Sequence, residues 1–187
     1  MKKLFYLLLV LIFLTTLPII ATAESEYGIW EIFENVDEFD LPDGTYHIRN
    51  IEPVEGKFSN SATTNSPLLA VMYFNRFANS KDEYIAIRLF EYGQNRVTNP
   101  YSKRKEYKIT MLGSKSGLKY SVDGLMLSQS ADIMVVDRNV STIKTLLRQG
   151  GTVRFSISEV GNSLTKYVFS FEDASGFGKS YSDWKSQ

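Results

Sequence analysis

Apolar and polar residues alternate along much of the chain with the two-residue period of half-buried strands. Between Thr152 and Ser158, Val153, Phe155 and Ile157 alternate with Arg154 and Ser156. Tyr107, Ile109 and Met111 repeat the pattern over 106–111. Leu118, Tyr120 and Val122 resume it after Gly113–Gly117, which reads as a hairpin turn. Leu164–Phe171 is a further strand, and Leu68–Phe74 and Tyr84–Phe90, apolar on both faces, are expected to sit centrally. Tyr27–Phe33 and Gly44–Ile51 are the opening strands, with Asp43-Gly44 as their turn signal, and Ala131–Val136 is a short one. The polar stretches Asn60–Pro67 and Gly93–Lys105 are expected to be loops.

The period changes once. Val140, Ile143, Leu146 and Leu147 fall on one face of a 3.6-residue repeat, which predicts a helix over about 140–149. Asn139 is its expected cap and Gly150 its stop, with Lys144 and Arg148 on the outer face. A second short helix is expected within Ala174–Trp184, after the Ser175-Gly176-Phe177 turn. The fold class is therefore mainly β: an antiparallel β-sandwich or barrel with one packed helix and a short C-terminal helix. No internal repeat or domain boundary interrupts 24–187, which is read as a single domain.

The first residues follow a different logic. Met1-Lys2-Lys3 is positive, Leu4–Leu17 is almost wholly apolar, Pro18 follows, and Ala21-Thr22-Ala23 closes the segment before Glu24. That order predicts a secretory signal peptide over 1–23, a separate helix cleaved after Ala23 and touching the membrane only before cleavage. Removing those 23 residues from 187 leaves 164, and with Lys2 and Lys3 gone 19 basic residues face 21 acidic ones. A net charge of −2 gives no positive field for phosphates, so nucleic acid is not expected as a partner. Hydrophobic residues at 43% and aromatics at 13% suffice for a core. The absence of cysteine removes disulfides, thiol chemistry and a lipid anchor at the cleavage site. The expected location is a bacterial periplasm or the secreted space.

Candidate chemistry is sparse. His47, the one histidine, shares a strand face with Thr45 and Arg49, opposite Tyr46 and Ile48, and that face is expected to meet solvent. A general base there would need a nucleophile and an orienting carboxylate. Ser141-Thr-Ile-Lys144 has the Ser-x-x-Lys spacing of penicillin-recognising enzymes. The same spacing recurs at Ser116–Lys119 and Ser163–Lys166, and no Lys-Thr-Gly or Ser-Asp-Asn partner is present, so an exposed lysine on a capped helix is the expectation. Asp37, Glu38, Asp40 and Asp43 form an acidic loop without EF-hand spacing. Lys103-Arg104-Lys105 reads as a solvated turn. No catalytic residue, metal ligand or cofactor site is assigned. Phe74, Tyr92 and Tyr101, in or beside loops, are the candidate contact residues, since Tyr is favoured at interfaces.

Gly28-Ile-Trp30 is similar to the Gly-x-Trp of lipocalins, in which the tryptophan closes a barrel floor; the two strands after the late helix depart from that family. A longer stretch, 118–184, resembles the invasion-associated locus B family of exported bacterial proteins. The matching segments are Ile143–Gly151, a Leu-rich helix with its turn, and Gly176–Tyr181, with Gly28-Ile-Trp-Glu31 as the early Gly-x-Trp element. This family's cysteines are missing here and the middle third does not match. The resemblance implies a periplasmic β-sandwich with an envelope role and no catalytic residue. The expected function is that of an exported, non-catalytic binding or interaction protein whose partner is an envelope protein or a glycan. The alternatives are a lipocalin-like carrier of a small hydrophobe and a periplasmic enzyme of unrecognised type.

Overall fold

The chain runs β1 (Trp30–Val36), β2 (Pro42–Asn50), β3 (Val54–Ser59), β4 (Ser66–Arg76), β5 (Glu83–Glu91) and β6 (Asn95–Arg96). It continues through β7 (Lys105–Gly113), β8 (Lys119–Met126), β9 (Asp132–Val135), α1 (Arg138–Arg148), β10 (Val153–Glu159), β11 (Lys166–Phe171) and α2 (Phe177–Lys185). These assignments come from a computed structural model that describes residues 26–77, 80–162 and 164–187. The expected signal segment, 1–23, lies outside the described residues.

Strands β4, β3, β11, β10, β7, β8, β9 and β5 pair in that order, and β5 returns to β4 over Leu68↔Glu91 to Arg76↔Glu83. The sheet closes on itself as an eight-stranded antiparallel barrel, so of the two architectures the pattern allowed, sandwich or barrel, closure selects the barrel. Eight strands leave an interior just wide enough for side chains to fill. Here Phe58, Leu68, Met72, Ile87, Ile109, Met111, Phe155, Ile157 and Phe169 fill it, each at most 2% exposed.

One end of the barrel is covered by both helices. α1 buries Val140, Ile143, Leu146 and Leu147, the face that the periodicity marked. It starts earlier than expected: Asp137 holds the cap position without a side-chain bond, and Asn139 lies inside the helix. Its end is as expected, with the Gly150 N–H donating to the Leu147 carbonyl. α2 buries Phe177, Ser180, Tyr181 and Trp184. Trp30 sits between them and the barrel, its ring centroid 5.0 Å from Phe171, 5.1 Å from Phe177 and 5.9 Å from Phe74. Such aromatic pairs add about 0.5–1.5 kcal/mol each beyond area burial.

The β1–β2 hairpin extends the barrel wall by pairing β2 with β4 at Ile48↔Phe74 and Arg49↔Tyr73. Its turn lies at 37–41, ahead of the expected Asp43-Gly44, which falls within β2. The Asp37 carboxylate organises that turn by accepting from the Phe39 and Leu41 N–H groups at 2.8 and 3.0 Å. Strand β3 is an addition to the sequence expectation.

Candidate functional site

The hairpin gives the barrel an outer wall of five strands, β1, β2, β4, β5 and β9. Along β2 the inward residues are Ile48 and Asn50, which leaves Thr45, His47 and Arg49 outward, as the alternation predicted. The same parity turns Phe33 and Asn35 of β1, Tyr73 and Asn75 of β4, Tyr84 and Arg88 of β5, and Asp132 and Met134 of β9 to this side.

The expectation that His47 faces open solvent is corrected: the side chain is half-buried. Phe33, its cross-strand neighbour, stacks on it at 5.5 Å, and Tyr73 lies against it at 5.7 Å. The alternation gave the correct face, but neighbouring strands supply rings that cover it. A hydrogen-bond chain orients the imidazole. Asn35 Nδ2 donates to Thr45 Oγ1 at 2.8 Å, and Thr45 donates to the Asp43 carboxylate at 2.6 Å. Asn35 Oδ1 therefore accepts from His47 Nδ1–H at 2.6 Å, which leaves Nε2 as a lone-pair acceptor. Nε2 is buried and has no hydrogen-bond partner among the described residues. Burial first, then the charges of Arg49 and Arg88, push the His47 pKa down to about 4, so the ring is neutral at neutral pH.

Arg88 and Asp132 stand opposite each other in register across β5 and β9. Arg88 grips both carboxylate oxygens, Nε to Oδ1 at 2.9 Å and Nη2 to Oδ2 at 3.0 Å, and its Nη1 donates to the Tyr73 hydroxyl at 3.1 Å. Arg96 donates a third bond to Asp132 at 3.3 Å. Burial opposes ionisation of Asp132, yet these two guanidiniums hold its carboxyl below the usual range. Both oxygens are thus engaged, and Asp132 is not free to orient His47 as a catalytic carboxylate would. Arg49 lays its guanidinium 3.8 Å over the Phe33 ring. Between these groups lies a cleft of about 330 Å³ lined by Asn35, His47, Tyr73, Asn75, Tyr84, Arg88 and Asp132.

The three expected contact residues do not come together. Phe74 is 1% exposed, so its assignment as an exposed contact residue is corrected: it faces inward on β4 and packs against Trp30 and Phe177 under the helices. β4 runs on to Arg76, and α2 covers the place where a loop was expected. Tyr92 and Tyr101 are exposed, both at the end of the barrel away from the helices. Tyr92 packs edge-on against Phe58 at 5.0 Å, and the Tyr101 ring lies 5.7 Å from Lys105 Nζ.

Lys144 is corrected as well, from exposed to half-buried. Its ammonium donates to Glu83 at 2.6 Å and to the Tyr181 hydroxyl at 3.0 Å. Tyr181 and Lys185 also donate to Glu83, at 2.7 and 2.8 Å. Burial would raise the Glu83 pKa, but bonds from Lys144, Lys185 and Tyr181 outweigh it and hold the carboxyl at about 2. This cluster ties α1 and α2 to β5. In the basic turn, Arg104 and Lys105 pair with Glu106 and Glu159 at 3.1 and 3.2 Å.

No family model, curated protein or solved structure matches the chain. The wall around His47 is thus the candidate site on geometry alone. Sequence reasoning missed Arg88, Asp132, Tyr73 and Asn35. One signal was available: Arg88 is the lone charge inside the apolar run Tyr84–Phe90.

Proposed function

We propose that this is an exported, non-catalytic binding protein of a bacterial periplasm or cell envelope, and that its contact surface is the outer wall around His47. The observation that supports this reading is the division of labour between the two faces of the wall strands. Inward positions are packed with aliphatic and aromatic side chains. Outward positions on five strands gather aromatic rings, amides and guanidiniums around one cleft. A carrier of the lipocalin kind needs interior space, which here is occupied by Phe58, Met72, Phe155 and Phe169. An enzyme needs a reacting group beside a base, whereas the polar partner of His47 is an amide and its ring neighbours are aromatic.

The test is retention. The purified protein, immobilised, is exposed to an envelope extract in parallel with the Tyr73→Ala and Arg49→Ala variants. A defined protein or glycan retained by the wild type and lost from folded variants supports the reading. Equal retention by wild type and variants, or none by either, overturns it.

A further inference from the structure

The wall carries more chemistry than a generic contact patch, and the chemistry is selective. Its cleft continues, through the shared residues Asn35, Asn75 and Tyr84, into a groove of about 600 Å³ that reaches Arg76, Phe77 and Lys81. Each volume is in the range of small-molecule sites, but the lining is more polar than such sites usually are. Flat rings alternate with planar polar groups: Tyr73, Tyr84 and Phe77, the last two 4.6 Å apart, beside Asn35, Asn75 and Arg88.

His47 Nε2, on a residue of the lining, is enclosed and without a hydrogen-bond partner among the described residues, so a ligand meets it only where a neighbouring side chain gives way. It is an acceptor, since Nδ1–H donates to Asn35. Leaving its hydrogen bond unmade costs about 1–3 kcal/mol. A ligand hydroxyl both donates and accepts, and so complements this acceptor and the Asn amides alike.

Charge argues against an anion. Across the wall, the ionisable groups around His47 are Glu31 on β1, Asp43 and Arg49 on β2, Tyr73 on β4, Tyr84 and Arg88 on β5, Arg96 on β6 and Asp132 on β9. Asp132 already occupies Arg88 and Arg96, and Glu31 stands opposite Arg49 in register. The guanidinium donors beside the cleft are thus spent on Asp132 and Tyr73 rather than open to a phosphate or carboxylate.

We infer that the cleft between Asn35, His47, Tyr73, Asn75 and Tyr84 binds a neutral carbohydrate. Its hydroxyls engage the imidazole and amides, and its C–H face lies on the tyrosine rings. This deepens the binding reading above and rests on it.

The experiment applies the full-length purified protein to an array of neutral and acidic oligosaccharides, with inorganic phosphate as competitor. Neutral glycans are expected to be retained, insensitive to phosphate. His47→Phe keeps a ring on Phe33 but removes the acceptor, and is expected to weaken binding about tenfold, the value of one hydrogen bond to a buried group. Asn75→Ala, on the facing strand, gives the same readout should His47→Phe fail to fold; circular dichroism checks both. Retention of acidic glycans only, displaced by phosphate, overturns the proposal in favour of an anion site. An empty array overturns it too. If an envelope protein is then still retained through Tyr73, the carbohydrate inference falls while the binding reading stands.

Discussion

Gly176 lies so close to Tyr27 that a Cβ on the glycine would fall 2.3 Å from the Tyr27 carbonyl carbon and oxygen. The contact is reciprocal: a Cβ on Gly28 would fall 2.5 Å from the Ser175 carbonyl oxygen, and both glycines have positive φ, 58° and 85°. The Gly-Ile-Trp segment and the Ser-Gly-Phe segment, near opposite ends of the described residues, thus interlock backbone to backbone. Trp30 and Phe177, which follow these two glycines, are thereby brought ring to ring. The lid over the barrel is built on this crossing.

Gly176→Ala is therefore expected to destabilise the fold by about 3 kcal/mol, since strain at positive φ adds to a clash with backbone that has no rotamer to yield. Chemical denaturation of wild type and variant measures it. An alanine tolerated within about 0.5 kcal/mol would mean the crossing is loose.

Glu83 links the lid to acid stability. Its folded pKa of about 2 lies below the ordinary value of 4.5, so the unfolded chain binds the proton first. Stability from this group is present in full above 4.5 and is lost as pH falls through 2. Its size is about 1–2 kcal/mol, less than the full linkage value because Lys185 is 41% exposed and solvent screens it. Glu83→Gln should flatten the melting temperature across that window and lower it at neutral pH. A variant with the wild-type acid profile would exclude Glu83 as the cause.

These features differ in how far the sequence disclosed them. Strand β10 was legible because Val153, Phe155 and Ile157 occupy three successive inward positions, and α1 because its four apolar residues share one face. Strand β3 was not, because Gly56 occupies the inward position between Val54 and Phe58 and erases the period. Closure of the barrel depends on β4 pairing with both β3 and β5, and on β5 with β9, none of which local alternation encodes. The site was hidden for the same reason. Asn35, His47, Tyr73, Arg88 and Asp132 lie on five strands, and only register brings Arg88 opposite Asp132. Each, read alone, is an ordinary outward polar or aromatic residue.

Export has a direct readout. Expressed in a bacterial host, the chain is expected to be recovered from the periplasm with Glu24 as its first residue. Intact-mass spectrometry and N-terminal sequencing determine this. Replacing Ala21 and Ala23 by bulky residues should block processing, because the peptidase accepts small side chains at those positions. Cytoplasmic retention of the unprocessed wild-type chain would refute the signal reading.

His47 should leave its own mark on the pH profile, separate from that of Glu83. The folded pKa of about 4 is depressed from 6.5, so between those values the unfolded chain holds more protons than the native one. Stability therefore rises with pH across that interval and falls as pH drops through it. Partial solvent exposure of the ring limits the change to about 1–2 kcal/mol. His47→Phe has no proton to bind in either state and should abolish this upper step while the Glu83 step below 4.5 persists. Melting curves over the acidic range, alongside an NMR titration of the imidazole, separate the two. A native imidazole that titrates near 6.5 would show that Phe33, Tyr73 and the arginines do not shield it, and the wall would lose its neutral acceptor.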